Sequence, residues 1–157
     1  MITGVPAGIG EPAFEKLDAA LAKAMFSIGA VKGFEIGSGM EAARSTGLQN
    51  NDAYGITPQG DIVKKTNHSG GITGGISDGC PIIFRAAFKP TPSIASPQET
   101  VNRQGEAIEV RIKGRHDPII VPRAVVVVES MAALVILDAM LGSMTTRLDK
   151  IKDFFQN

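Results

Sequence analysis

"IKGRHDPIIVPRAVVVVESM", Ile112 to Met131, joins two kinds of order. The residues leading into it, "AIEVRIK" (Ala107 to Lys113), alternate apolar and polar side chains at the period of a half-buried strand. The residues leaving it are an apolar run that Pro122 opens, since proline is tolerated in the first turn of a helix. Between the two stand Arg115, His116, Asp117 and Pro118. Pro118 lacks a backbone donor and fixes φ, so Asp117 is biased to an extended or turn conformation. A strand, a tight polar connection and a helix are expected here, with the polar side chains able to face a cleft.

Working outward from this junction, the same logic places the remaining elements. Glu11-Pro12 is expected to start a helix whose apolar face is Phe14, Leu17, Leu21, Ala24, Met25 and Ile28, and Gly29 ends it. "AVKGFEIGSG" reads as a short strand closed by glycines. Met40 to Ser69 is polar and loop-like, with a short hairpin expected around Asp61 to Lys65. The glycine-dense "HSGGITGGISDG" precedes the strand "PIIFRAAFK", and the loop "PTPSIASPQETVNRQGE" leads back to "AIEVRIK". The helix opened at Pro122 is expected to reach Leu141 and to continue, kinked near Gly142, to Phe155. Helices and strands do not alternate strictly, and the connections are of hairpin type. The expected class is α+β with largely antiparallel sheets and packed helices.

Composition narrows the function classes. A chain of 157 residues suits one domain or a large part of a bigger one. Lys plus Arg and Asp plus Glu number 16 each, so the basic excess that drives nucleic-acid or membrane-surface binding is missing. Cys80 is the lone cysteine, which rules out an intrachain disulfide and, with only His68 and His116, leaves too few soft ligands for a structural zinc site. A reducing, cytoplasmic setting is expected, and no signal peptide is visible at the start. Glu129 and Asp138 interrupt the apolar run from Ala124 to Leu141, and its uncharged piece Ser130 to Leu137 is far short of the ~20 residues that cross a bilayer. A core helix is expected, and no membrane partner.

Three groups of residues could carry chemistry, each with an ordinary structural alternative. "GGITGGIS" lacks the spacing of a dinucleotide fingerprint; its glycines serve tight turns or a close backbone approach to a flat or phosphorylated ligand. "KPTPS", Lys89 to Ser93, couples a cation to two stiffening prolines and two hydroxyls, which suits a phosphate or a capped surface turn. Arg115-His116-Asp117 serves a cleft, or it is a surface turn with an Arg–Asp pair of ~0–1 kcal/mol. At this level both readings of each group stay open. His68 reads as a polar loop residue, and Cys80 as buried rather than reactive.

Together the segments decide more. "GVPAGIGEPAFEKLDAALAKAMFSIGAVKGFEIG", "NNDAYG", "NHSGGITGGIS", "FKPTPSI" and "KGRHDPIIVPRAVVVVESMAALVILDAML" resemble chorismate synthase in this order and at similar separations. The resemblance runs from about Gly4 to Leu141 and concerns only the C-terminal portion of that enzyme, so residues 1–157 are expected to be that portion without its N-terminal partner. Val126 departs from the proline of many relatives.

The resemblance implies a β-α-β sandwich, present in part, and a cytoplasmic homotetramer when intact. It implies the anti-1,4-elimination of phosphate from 5-enolpyruvylshikimate 3-phosphate to give chorismate, in aromatic amino-acid biosynthesis, with reduced FMN as cofactor. It also brings in NADP, through flavin reduction by the enzyme itself or by a separate reductase. Carried over by motif, Gly29, Ala30, Gly74, Lys89, Pro90, Thr91, Pro92, Ser93 and Arg115 would contact FMN or line its pocket. Arg115 would also serve the substrate, and Asp117 would act near the flavin as general base. His116 would shape the turn. The family's active-site histidines and several of its arginines lie in the N-terminal portion, so the isolated chain is expected to be inactive. A non-catalytic flavin-binding, anion-binding or structural module that keeps the fold is the competing expectation.

Overall fold

The computed structural model describes every residue except His116, Pro118 and Asn157, together with all side chains of the described residues but those of Lys150 and Gln156. In chain order it contains α1 (Leu17–Phe26), β1 (Val31–Ile36), a 3-10 turn (Gly39–Arg44), α2 (Gly47–Asn50), β2 (Tyr54–Ile56), β3 (Ile62–Lys64), β4 (Ile72–Thr73), β5 (Ile76–Ser77), β6 (Phe84–Phe88), β7 (Gln98–Val101), β8 (Ala107–Val110), α3 (Val121–Ser143) and α4 (Leu148–Gln156). Every strand pair is antiparallel: β1 with β6, β2 with β3, β4 with β5 and β7 with β8. The class is α+β, as the residue pattern implies.

The core forms where α1 lies against α3. Leu17, Leu21 and Met25 recur every four residues on one face of α1 and are fully or almost fully buried. They meet Ala132 and Ile136 of α3 and Ile72, Ile82, Val5 and Ile9 from the segments beneath. Each large side chain so enclosed contributes roughly 1.5–3 kcal/mol relative to leaving it in water. Phe34 and Phe84 stack across β1 and β6 with centroids 5.4 Å apart and extend the core sideways.

Four expectations need correction. First, α1 begins at Leu17 rather than at Glu11-Pro12, and Phe14, expected on its buried face, is 99% exposed at φ 55°. The cause is tertiary: Gly10 bridges to Ile76, and the Leu17 N–H donates to the Gly75 carbonyl at 2.9 Å, so residues 11–16 must turn before the helix starts. Second, Gln98–Val101, read as loop, is strand β7, held by β8 in register Gln98↔Val110 to Val101↔Ala107. Third, the long helix opened near Pro122 does not continue through a kink at Gly142; as α3 it ends at Ser143, and α4 is a separate helix. Fourth, α3 is no enclosed core helix. It is long and apolar enough to cross a membrane by length and composition, with mean hydropathy 2.2, yet it carries Glu129 and Asp138 and packs on α1 along one narrow face, Ala132 and Ile136 alone being buried in it.

The glycine-dense segment is built, not slack. Gly74 and Gly75, at φ 63° and 89°, form the two-residue turn between β4 and β5, a geometry that needs left-handed backbone at both positions. Gly70 lies so close to Gly37 that an added Cβ would stand 2.4 Å from the Gly37 nitrogen.

An enclosed ionic cluster fixes the same segment from the other side. The Lys64 ammonium donates to Asp78 at 2.5 Å and to the Ser69 hydroxyl at 3.1 Å, and it stands 3.8 Å from Asp52. The three charged side chains are only 7%, 8% and 13% exposed for Lys64, Asp52 and Asp78. Asp52 accepts the backbone N–H groups of His68 (2.7 Å) and Ser69 (2.9 Å), and Asp78 accepts that of Cys80 at 3.0 Å. Burial alone would raise the Asp52 carboxyl. The Ser69 and His68 N–H groups and the Thr66 and Ser69 hydroxyls outweigh it and hold the group well below the usual carboxylate range. Burial opposes the Asp78 and Lys64 charges too, but their mutual bond keeps Asp78 lowered and Lys64 raised.

Both carboxyls fall below their ordinary 3.8, so their stabilisation is complete above that pH and is lost as pH falls through the folded-state values. Lys64 is raised above 10.5, so its stabilisation is complete below that pH and is lost as pH rises beyond it. Urea unfolding of the chain should therefore show stability falling steeply below pH 3.8. Lys64→Met should cost about 3 kcal/mol at neutral pH, by leaving two buried carboxylates without their cation, and should remove the Asp78 share of the acid slope while the Asp52 share stays.

Candidate functional site

The site is assembled where β6 and the strand–helix junction deliver their polar residues. At the exit of β6, Lys89 N–H donates to the Ala30 carbonyl at 2.9 Å, which joins the turn after α1 to the Lys89–Ser93 loop. Ala30 holds φ 71°, left-handed backbone that a residue with a Cβ adopts only under strain. A β-bulge follows at once, because Val31 pairs with Phe88 while Gly33 pairs with Ala87. Bulge and strained turn together re-aim the chain at the mouth of the loop.

Within the loop, the Ser93 N–H donates to the Thr91 hydroxyl at 3.3 Å, and the Gln98 side chain donates to the Pro92 carbonyl at 2.8 Å. Thr91 and Ser93 are half-buried, while Lys89, Pro90 and Pro92 are exposed. A cavity of about 460 Å³ opens beside the loop, lined by Thr91, Ser93, Arg115, Asp117, Ile120 and Arg123. Two hydroxyls, two guanidinium groups and a carboxylate thus share one concave space. Cations and hydroxyl donors of this kind suit a phosphate-bearing ligand, and Asp117 is the one carboxylate among the residues that line the cavity.

The structure does not gather all the candidates. Gly29 is exposed, and an added Cβ there would touch nothing. Gly74 is open to space and precedes Gly75, which meets Lys16 and Leu17 at the start of α1, whereas Ala30 follows its end. The ten residues of α1 put the two ends roughly 15 Å apart. His116 and Pro118 lie outside the described residues, and with them the expected shape of the turn. Asp117 pairs not with Arg115, its neighbour in sequence, but with Arg123 of α3, at 2.6 Å.

Residue patterns had singled out neither Arg123 nor the Lys64 cluster. Arg123 had a signal, as the one cation in the opening turn of an apolar helix. Asp52, Lys64 and Asp78 had none, being charges scattered over loops. Cys80 is half-buried, and burial together with the Asp78 carboxylate pushes its thiol up, away from reactivity. His68 works through its backbone, with N–H to Asp52 and carbonyl to Ser38.

The Ala30 turn can be tested alone. Ala30→Gly should raise the melting temperature and Ala30→Val should lower it, each by about 2–4 °C per kcal/mol of strain relieved or added. Equal melting curves would show that the left-handed turn carries no strain.

Known proteins give the site its context. A family model described as chorismate synthase matches residues 1–141. A chorismate synthase of Lachnoclostridium phytofermentans is 65% identical over 156 residues, which is 99% of this chain and 42% of the relative. One from Methanosarcina barkeri is 58% identical over 144 residues, 91% of this chain and 39% of the relative. A solved structure, "Crystal Structure of Chorismate Synthase", superposes with TM-score 0.69 at 33% identity, covering 98% of this chain and 39% of the other. The chain therefore spans about two fifths of the length of the relatives it matches. By the match to residues 1–141, this chain belongs to the chorismate synthase family.

Proposed function

We propose that the chain forms one side of a chorismate synthase active centre, which eliminates phosphate from 5-enolpyruvylshikimate 3-phosphate to give chorismate in aromatic amino-acid biosynthesis. The observation that carries the reading is the convergence of Thr91, Ser93, Arg115 and Asp117 on one cavity. The cavity fits part of an FMN site: hydroxyls and a guanidinium suit its phosphate, and the Ala30–Lys89 contact brings the residues of the preceding turn to the same loop. Lys89, Thr91, Ser93 and Arg115 would hold the cofactor, with Gly29, Ala30, Pro90 and Pro92 shaping that side. Gly74, at the far end of α1, would reach it only from a different direction.

Reduced FMN, when bound, supplies the electron density that assists cleavage of the allylic C–O bond, with no net redox change. The chain's own residues do the rest. Arg115 balances anionic charge, on the cofactor and on the substrate. Asp117 takes the proton from C6 as the new double bond forms and phosphate departs from the other end of the allylic system. The half-buried carboxylate shares the cavity with the Arg115 and Arg123 guanidinium groups, where it can meet that proton.

The partner of this half is the N-terminal portion of the same enzyme, in a cytoplasmic homotetramer. A groove of about 600 Å³ between β6 and the first half of α3 supports that reading, since apart from Thr3 and Glu129 its lining is apolar. The isolated chain should accordingly release no phosphate from the substrate with chemically reduced FMN, and turnover by the chain alone would overturn the half-site reading.

In a full-length enzyme carrying this segment, Asp117→Asn should lower kcat by ~10²–10⁴-fold with FMN still bound, because shape is kept and the proton acceptor is lost. Arg115→Ala should weaken ligand binding as well as rate. A purely structural turn predicts small, similar losses of melting temperature in both variants with near-normal kcat.

A further inference from the structure

We infer that Arg123 is a positioning residue that sets the direction of the Asp117 carboxylate. The inference rests on the reading of Asp117 as the base. Arg123 belongs to the opening turn of α3, directly after Pro122, and its backbone N–H donates to the Ile120 carbonyl at 3.0 Å. Its side chain therefore springs from a rigid element, whereas Asp117 lies on a connection. The guanidinium reaches Oδ2 of Asp117 at 2.6 Å, and both residues line the cavity that holds Thr91, Ser93 and Arg115.

An ion pair whose arginine is 77% exposed adds little to stability. Its consequence is directional: a guanidinium nitrogen fixed on one carboxylate oxygen, Nη1 on Oδ2, limits rotation of the group. Two arginines then divide the labour. Arg115 belongs to the connection and faces ligand charge, while Arg123 belongs to the helix and orients the base. A carboxylate left to rotate would meet the departing proton in a productive direction less often, and misplacement of about 1 Å can cost on the order of 10²-fold in rate.

The test is a double-mutant cycle in a full-length enzyme carrying this segment, measured at saturating reduced FMN and substrate, with FMN binding and melting curves taken in parallel. Arg123→Met should lower kcat about 10- to 100-fold while FMN affinity stays within about twofold and the melting temperature hardly moves. Arg123→Lys should recover part of the rate, since it restores the charge but not the planar, rigid guanidinium. In the Asp117→Asn background, Arg123→Met should cost nothing further, because the group it orients no longer accepts a proton. Losses that multiply, or a loss of FMN affinity with kcat intact, would make Arg123 an independent ligand for anions and overturn the inference. Near-normal kcat in Asp117→Asn alone would instead overturn the base assignment beneath it, a result distinct from either.

Discussion

Everything in the structure hangs from the burial of one helical stripe. Leu17, Leu21 and Met25 on α1 fill the space between Ile72, Ile82 and the Ala132–Ile136 face of α3. Because α1 is enclosed on that side, its two ends become fixed points. The glycine hairpin attaches at the first, through Leu17 and Gly75, and the strained Ala30 turn follows the second. The β1–β6 pair then carries that turn to the Lys89–Ser93 loop, and α3 brings Arg123 to the opposite wall. An apolar contact thus sets the separation of polar groups that never touch it.

The polar side of the design follows a different rule. Where the chain crosses over itself without regular structure, it substitutes enclosed charge and close glycine contacts for strand ladders. Asp52 collects the N–H groups of His68 and Ser69, Asp78 that of Cys80, and Lys64 ties the two carboxylates together. These are bonds to otherwise orphaned backbone donors, so their role is to define a path for the chain as much as to add stability. The β7–β8 hairpin has no such anchor: its strand residues are exposed but for Gln98, and it is held chiefly by its own ladder.

Local pattern made part of this visible in advance. The four-residue spacing of Leu17, Leu21 and Met25 reports a buried face directly, because a helix repeats what it buries. The class and the helix after Pro122 were legible for similar reasons, whereas β8, which alternates like a half-buried strand, is exposed along its whole length. The start of α1 was not, since it is imposed by Gly10 and Gly75 meeting across the fold. Nor was β7, whose "QETV" has no apolar face of its own. An apolar run without a polar stripe says that α3 is helical but not which of its sides is covered. At the site, the motif placed Thr91, Ser93, Arg115 and Asp117 in one cavity, yet the partner of Asp117 stood in plain view, six positions along, behind a proline and inside the helix.

The union of α1 with α3 also has a bearing on how the chain folds. Ile136 closes over a stripe centred on Leu21, more than a hundred positions earlier. Contacts of that separation are slow to form, because the loop between them must be ordered before burial compensates. During synthesis the α3 side of the stripe is left wet until Ala132 and Ile136 have emerged. Through that interval Val5, Ile9, Ile72 and Ile82 cover only part of it, and the nascent chain is a natural client for chaperones that bind exposed apolar helices.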